Sequence, residues 1–109
     1  MLDGVHPFSV GLTPDENGNV TVALCGEIDI DTADEVWAAL IEALTAWTGQ
    51  VVVDLAGVSF IDSQGIAAFI RVYRDCSLDA VRLTIRSPQA QVRTVFELTS
   101  LDQIFRIEH

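Results

Sequence analysis

A chain of 109 residues, half of them hydrophobic, suits one domain with one well-filled core. Six Lys and Arg stand against sixteen Asp and Glu, a formal net charge of −10. Such a surface repels nucleic-acid phosphates and anionic membranes, which argues against direct DNA binding and favours a basic or mixed-charge protein partner. The N-terminus lacks the basic, apolar and small-residue order of a signal peptide. No apolar run approaches the roughly 20 residues that span a bilayer. A cytoplasmic protein is the expectation. His6 and His109 lie near the ends, and Cys25 and Cys76 sit in apolar segments without ligand spacing. No metal or cofactor is expected, and the cysteines are read as a reduced, buried pair.

In chain order, residues 8–12 and 20–26 read as strands joined by Thr13-Pro14-Asp15-Glu16-Asn17-Gly18-Asn19, a hairpin turn containing Asn-Gly. Val20, Val22 and Leu24 share one face; Thr21, Ala23 and Cys25 share the other. Thr32 and Glu35 have capping-box spacing and open a helix. Its apolar face is Ala33, Val36, Trp37, Leu40, Ile41 and Leu44, and Gly49 is its stop signal. The almost wholly apolar strand 51–55 is expected at the centre of a sheet. A loop to Asp62-Ser63 then leads into a second helix with Ile66, Phe69, Ile70, Tyr73 and Cys76 on one stripe. Residues 81–86 alternate as a strand that directs Arg82, Thr84 and Arg86 to the wetter face. Ser87-Pro88 reads as an N-cap and first helical residue. The third helix presents Val92, Val95 and Phe96, and a last strand covers Ile104 to Ile107. The alternation of strands and helices predicts an α/β fold: a mixed sheet of about five strands, with helices mainly on one face.

The most informative run is Asp54-Leu55-Ala56-Gly57-Val58-Ser59-Phe60-Ile61-Asp62-Ser63-Gln64-Gly65. It places a serine hydroxyl at a helix start, where unpaired N–H groups and the helix dipole favour an anion such as phosphate. The plainer reading makes Asp62 or Ser63 an N-cap alone. Gly57-Val58-Ser59 begins like a hydrolase nucleophile elbow, but Ile61 stands where that motif needs glycine, and no histidine is placed to act as a base. The acidic stretch Glu27-Ile28-Asp29-Ile30-Asp31-Thr32-Ala33-Asp34 invites a calcium loop or an Asp-x-Asp phosphatase. The calcium loop fails at Ala33 and Asp34. The phosphatase lacks a catalytic lysine and the length for a substrate cap. A solvated acidic loop at a helix start accounts for the stretch better.

The run around Asp62-Ser63-Gln64-Gly65 resembles the signature of the STAS family, typified by bacterial anti-sigma factor antagonists. Gly26-Glu27-Ile28-Asp29 with Thr32-Ala33 is similar to the family pattern at the end of the second strand. The segment from Ser87-Pro88 through Val95-Phe96-Glu97-Leu98-Thr99 to Ile104-Phe105 is similar to its closing helix and strand. The resemblance covers nearly the whole chain, one domain over 1–109 with its core at about 6–108. It implies a regulator without catalysis of its own, which binds an anti-sigma factor that is also a serine protein kinase and so frees a sigma factor. It further implies that the kinase uses ATP to phosphorylate Ser63, that the antagonist then lets go, and that a phosphatase reverses the mark. By the same resemblance Asp62 orients the loop, Gly65 permits close approach of the partner, and Asp29 belongs to the partner-binding set with Asp62, Ser63, Gln64 and Gly65. Gln64 departs from the family, where a second serine is frequent. Some STAS modules are never phosphorylated, and a scaffold or lipid-transport accessory is the alternative. The chain has no Gly-x-x-x-x-Gly-Lys phosphate cradle, so any nucleotide site must be the partner's.

Overall fold

The computed structural model describes residues 8–76, 79 and 82–108. Strands β1 (Ser9–Pro14) and β2 (Val20–Ile28) form the expected hairpin. Helix α1 (Ala33–Ala46) leads to β3 (Val51–Ile61), and α2 (Ser63–Asp75) leads to β4 (Leu83–Arg86). Helix α3 (Ala90–Leu98), a single 3₁₀ turn (Leu101–Gln103) and β5 (Arg106–Glu108) close the chain. The five strands lie in chain order; β1 and β2 are antiparallel and the remaining neighbours parallel.

Period-2 alternation builds the core. Val20, Val22 and Leu24 of β2 turn the same way as Val51, Val53 and Leu55 of β3 and Leu83 and Ile85 of β4, and all are buried. The helices cover this face with Val36, Leu40, Phe69, Val72, Val92 and Phe96. Phe69 meets Phe96 and Phe105 edge to face at 5.3 and 6.1 Å, which ties α2 to α3 and to the segment before β5. Each such pair contributes about 0.5–1.5 kcal/mol beyond its buried area.

The largest departure from the sequence reading is β3. Residues 56–61, expected as loop, continue the strand to Ile61, and Ser59 is a strand residue. Between Ala23 and Cys25, and again between Gly26 and Glu27, β3 carries an extra residue relative to β2. Each bulge resets the alternation. After Leu55 the buried positions are Val58 and Ile61, a spacing of three that looks like neither strand nor helix in the sequence. Gly57 fits because a Cβ there would lie 2.6 Å from Cys25 Sγ. The bulged carbonyls are met from the start of α3: Gln89, at its N-cap, donates from Nε2 to Ala56 O, and Gln91 Nε2 donates to Ser59 O.

Smaller corrections share one cause, tertiary partners that outbid local signals. Thr32 does not cap α1; its hydroxyl is used in the preceding turn. The buried stripe of α2 is Gly65, Ile66, Ala68, Phe69 and Val72, while Ile70 and Tyr73 are exposed at its rim. Ser87 is not an N-cap. Its N–H donates to Glu108 O in the sheet, it turns at φ 56°, and α3 begins two residues after Pro88. Arg82 does not face the open side of the sheet. Its guanidinium donates to the carbonyl of Leu44 in the last turn of α1 and to those of Trp47 and Gly49 just beyond it. Thr84, expected on the wetter face, is buried. Ile104 precedes β5 and does not begin it, and Val81 lies outside the described residues. Cys25 is exposed and Cys76 half-buried, so the expected buried pair is absent.

Candidate functional site

Strands β2 and β3 end side by side, with Ile28 opposite Ile61. Asp62 alone separates β3 from α2, and it is fixed at three points. Its N–H donates to Ile28 O at 3.1 Å. Its Oδ1 accepts from the N–H groups of Gln64 and Gly65 at 2.9 and 3.1 Å, and its carbonyl accepts from Ile66 N–H at 2.9 Å. Asp62 is therefore the N-cap, and Ser63 is the first helical residue. Ser63 and Gln64 are exposed.

Gly65 is buried, and its reason lies inside the chain. A Cβ there would stand 2.6 Å from Ile61 Cγ1, 2.7 Å from Ile28 Cγ2 and 2.9 Å from Ile28 O. The glycine lets α2 start hard against the ends of β2 and β3. Asp62 and Gly65 thus act as mounts for the exposed Ser63 and Gln64.

Asp29 lies across this edge, in the turn between β2 and α1. Its Oδ1 accepts from Asp31 N–H at 2.9 Å, and its carbonyl accepts from the N–H groups of Thr32 and Ala33. The half-buried Asp29 carboxylate shapes its own turn while remaining partly open to solvent. Between α1 and α2 a shallow groove of about 160 Å³ is lined by Ala33, Asp34, Trp37, Gln64, Ala67, Ala68 and Arg71. Within that lining, the Arg71 guanidinium carbon lies 3.8 Å from the centroid of the Trp37 ring. Trp37 Nε1 donates to Asp75 Oδ2 at 3.1 Å.

Two residues at this end escaped the sequence reading. Ile30 is 71% exposed and Phe60 46% exposed, and both flank the junction of β2, β3 and α2. Ile30 was masked by the acidic letters around it and Phe60 by the bulge that reverses its direction. A violation of strand alternation in an otherwise apolar run is the signal that points to Phe60. Chemically, the edge presents an exposed hydroxyl and carboxylates beside apolar side chains. Among the described residues, no three His, Cys, Asp or Glu side chains converge as a metal site requires.

An α/β sheet with its polar, exposed edge at the C-terminal ends of parallel strands is a common arrangement for recognition. Here fold and sequence agree on one family: the model for the STAS domain matches residues 12–109, and the chain belongs to the STAS domain family. Among relatives, an anti-sigma-B factor antagonist of Listeria monocytogenes is 28% identical over 103 residues, covering 94% of this chain and 90% of that protein. Among solved structures, an anti-sigma factor antagonist from Mycobacterium paratuberculosis superposes with a TM-score of 0.81 at 23% identity, covering 98% of this chain and 90% of that one. The phosphorylated form of the Bacillus cell fate determinant SpoIIAA superposes with a TM-score of 0.66 at 23% identity, covering 91% and 90%. Both structural likenesses are likenesses of fold.

Proposed function

We propose that the protein is an anti-sigma factor antagonist without catalytic activity. It binds an anti-sigma factor that is also a serine protein kinase, and so releases a sigma factor. The observation that carries this reading is the exposed Ser63 at the first turn of α2, mounted on a buried glycine and a fully engaged aspartate cap. Asp29, Ser63 and Gln64 form the polar part of the contact surface, and Ile30 and Phe60 supply apolar area. Named relatives that are anti-sigma factor antagonists support the choice among STAS functions. The setting is the cytoplasm, and a phosphatase resets the switch.

Phosphorylation of Ser63 is the off-signal in this reading. It adds about −1.5 to −2 charges. The Asp62 carboxylate already occupies the amides of Gln64 and Gly65, so the phosphate meets a helix start whose best donors are taken and whose cap is itself negative. The fold bears little of this change, because Ser63 is exposed. The cost falls on the complex, where a dianion would have to be desolvated against a surface shaped for a hydroxyl. The test is calorimetric titration of the cognate anti-sigma kinase with wild type, Ser63→Ala and enzymatically phosphorylated protein. Wild type and Ser63→Ala should bind alike, and the phosphoprotein about a hundredfold more weakly, with melting temperature nearly unchanged. Equal affinity of the phosphoprotein would end the idea that Ser63 is the switch.

A further inference from the structure

Thr32 is a buried polar residue, 2% exposed, in the turn between β2 and α1. Its side chain makes no cap to α1. Its Oγ1 donates to Glu27 O at 2.9 Å and accepts from Asp29 N–H at 3.0 Å. These two groups flank Ile28 in the chain, so one hydroxyl grips the residue from both sides. Ile28 is also the residue that holds the start of α2. Its carbonyl receives the Asp62 N–H, and its Cγ2 abuts the position of Gly65. Asp29, the next residue, carries the carboxylate of the proposed contact surface. A hydroxyl with both bonds satisfied inside a protein fixes geometry that an apolar isostere cannot, because valine would leave the carbonyl and the N–H unmet.

We propose that Thr32 is a positioning residue that sets the aim of Ser63 and Asp29 together. It acts on the start of α2 through Ile28 and on Asp29 directly, through the Asp29 N–H at 3.0 Å and the Asp29 Oδ1 at 3.5 Å, not by touching the partner. This rests on the reading of Ser63 as the phosphoacceptor, but its first consequence is visible in the free protein. Losing the Thr32 hydroxyl should loosen the Asp62 N–H···O=C Ile28 bond, 30 residues away in sequence from the site of mutation. It should do so without loosening the middle of the sheet.

The experiment compares wild type, Thr32→Val and Thr32→Ser. In the free protein, amide hydrogen exchange at Asp62, taken relative to the mid-sheet amide of Val53, should speed up about tenfold in Thr32→Val and return to within about twofold of wild type in Thr32→Ser. With the anti-sigma kinase and ATP, Thr32→Val should raise KM for this protein about tenfold with kcat little changed, and Thr32→Ser should restore it. Thr32→Ala serves in the same comparison if valine prevents folding. Unchanged relative exchange at Asp62 in Thr32→Val, or a serine variant that behaves like valine, would overturn the positioning role. A wild type that the kinase neither binds nor phosphorylates would overturn the functional reading instead, and the exchange comparison would then decide the role of Thr32 by itself.

Discussion

Where the parallel strands begin, polar groups face one another. Asp15 accepts from the N–H groups of Asn17 and Asn19 and from Asn19 Nδ2, and Asn19 Oδ1 in turn accepts from Gln50 N–H. Gly49 N–H donates to Gly18 O, and Arg82 spans three carbonyls in and just after the last turn of α1. Where the same strands end, the backbone is tied down just as firmly, by Asp62, Thr32 and Asp29. There, however, Ser63, Gln64, Ile30 and Phe60 remain exposed above the ties. The first end spends its polar groups on closing the fold. The second uses a few buried groups to hold others outward. Exposed apolar side chains at the same end as an exposed serine on a tied-down helix start mark a surface suited to contact, in contrast to the end whose polar groups close on one another.

The sharpest way to break the second end is Gly65→Ala. The added methyl meets Ile61, Ile28 and the Ile28 carbonyl at 2.6 to 2.9 Å. Seating α2 would then cost about 2–3 kcal/mol, read as a lower urea midpoint, and partner binding should fall with it. Arg82→Met breaks the first end. It strands the carbonyls of Leu44, Trp47 and Gly49 and should cost about 2 kcal/mol in the same assay. Partner affinity should stay at the wild-type level. A loss of affinity in Arg82→Met beyond its loss of folded protein would erase the distinction between the ends.

Removing the cap is gentler. Asp62→Ala forfeits the bonds to Gln64 and Gly65 N–H. Thermal melting should report about 1 kcal/mol lost, with Asp62→Asn recovering most of it. The smallest effect concerns acid. The bond from the Asn19 side chain, with those from the Asn17 and Asn19 backbone, lowers the Asp15 carboxyl below its ordinary 3.8. A carboxylate lowered on folding stabilises the native state fully above its ordinary value. That stability is lost as pH falls from there through the lowered folded value. The melting-temperature gap between wild type and Asp15→Ala should therefore be constant above pH 5 and shrink below 3.8. Because Asp15 is exposed, the gap is small throughout.

The elements legible from sequence were those whose signal is local. Hairpin residues 13–19, the apolar alternation of Val20, Val22 and Leu24, and the 3.6-residue face of α1 each encode their own geometry. So does Asp62 before Ser63, since a short acceptor side chain ahead of an amphipathic run can satisfy helix amides by itself. What stayed hidden needed a partner far along the chain. Whether residues 56–61 are loop or strand depends on β2 lying alongside and on Gln89 and Gln91, at the start of α3, meeting the bulged carbonyls. Whether Arg82 faces solvent or the end of α1 depends on three carbonyls more than 30 residues away.

The same division runs through the site. Sequence alone determined that a serine follows an aspartate at a helix start, and that an acidic turn follows the second strand. Only the tertiary structure decided that Gly65 is used for packing, that the Thr32 side chain serves the turn and not the helix, and that Ile30 and Phe60 stand exposed near the paired ends of β2 and β3. The reason is physical. Capping and periodicity are satisfied within one turn of chain, whereas close backbone approach, bulges and the burial of a hydroxyl take their meaning from atoms that folding alone brings within reach.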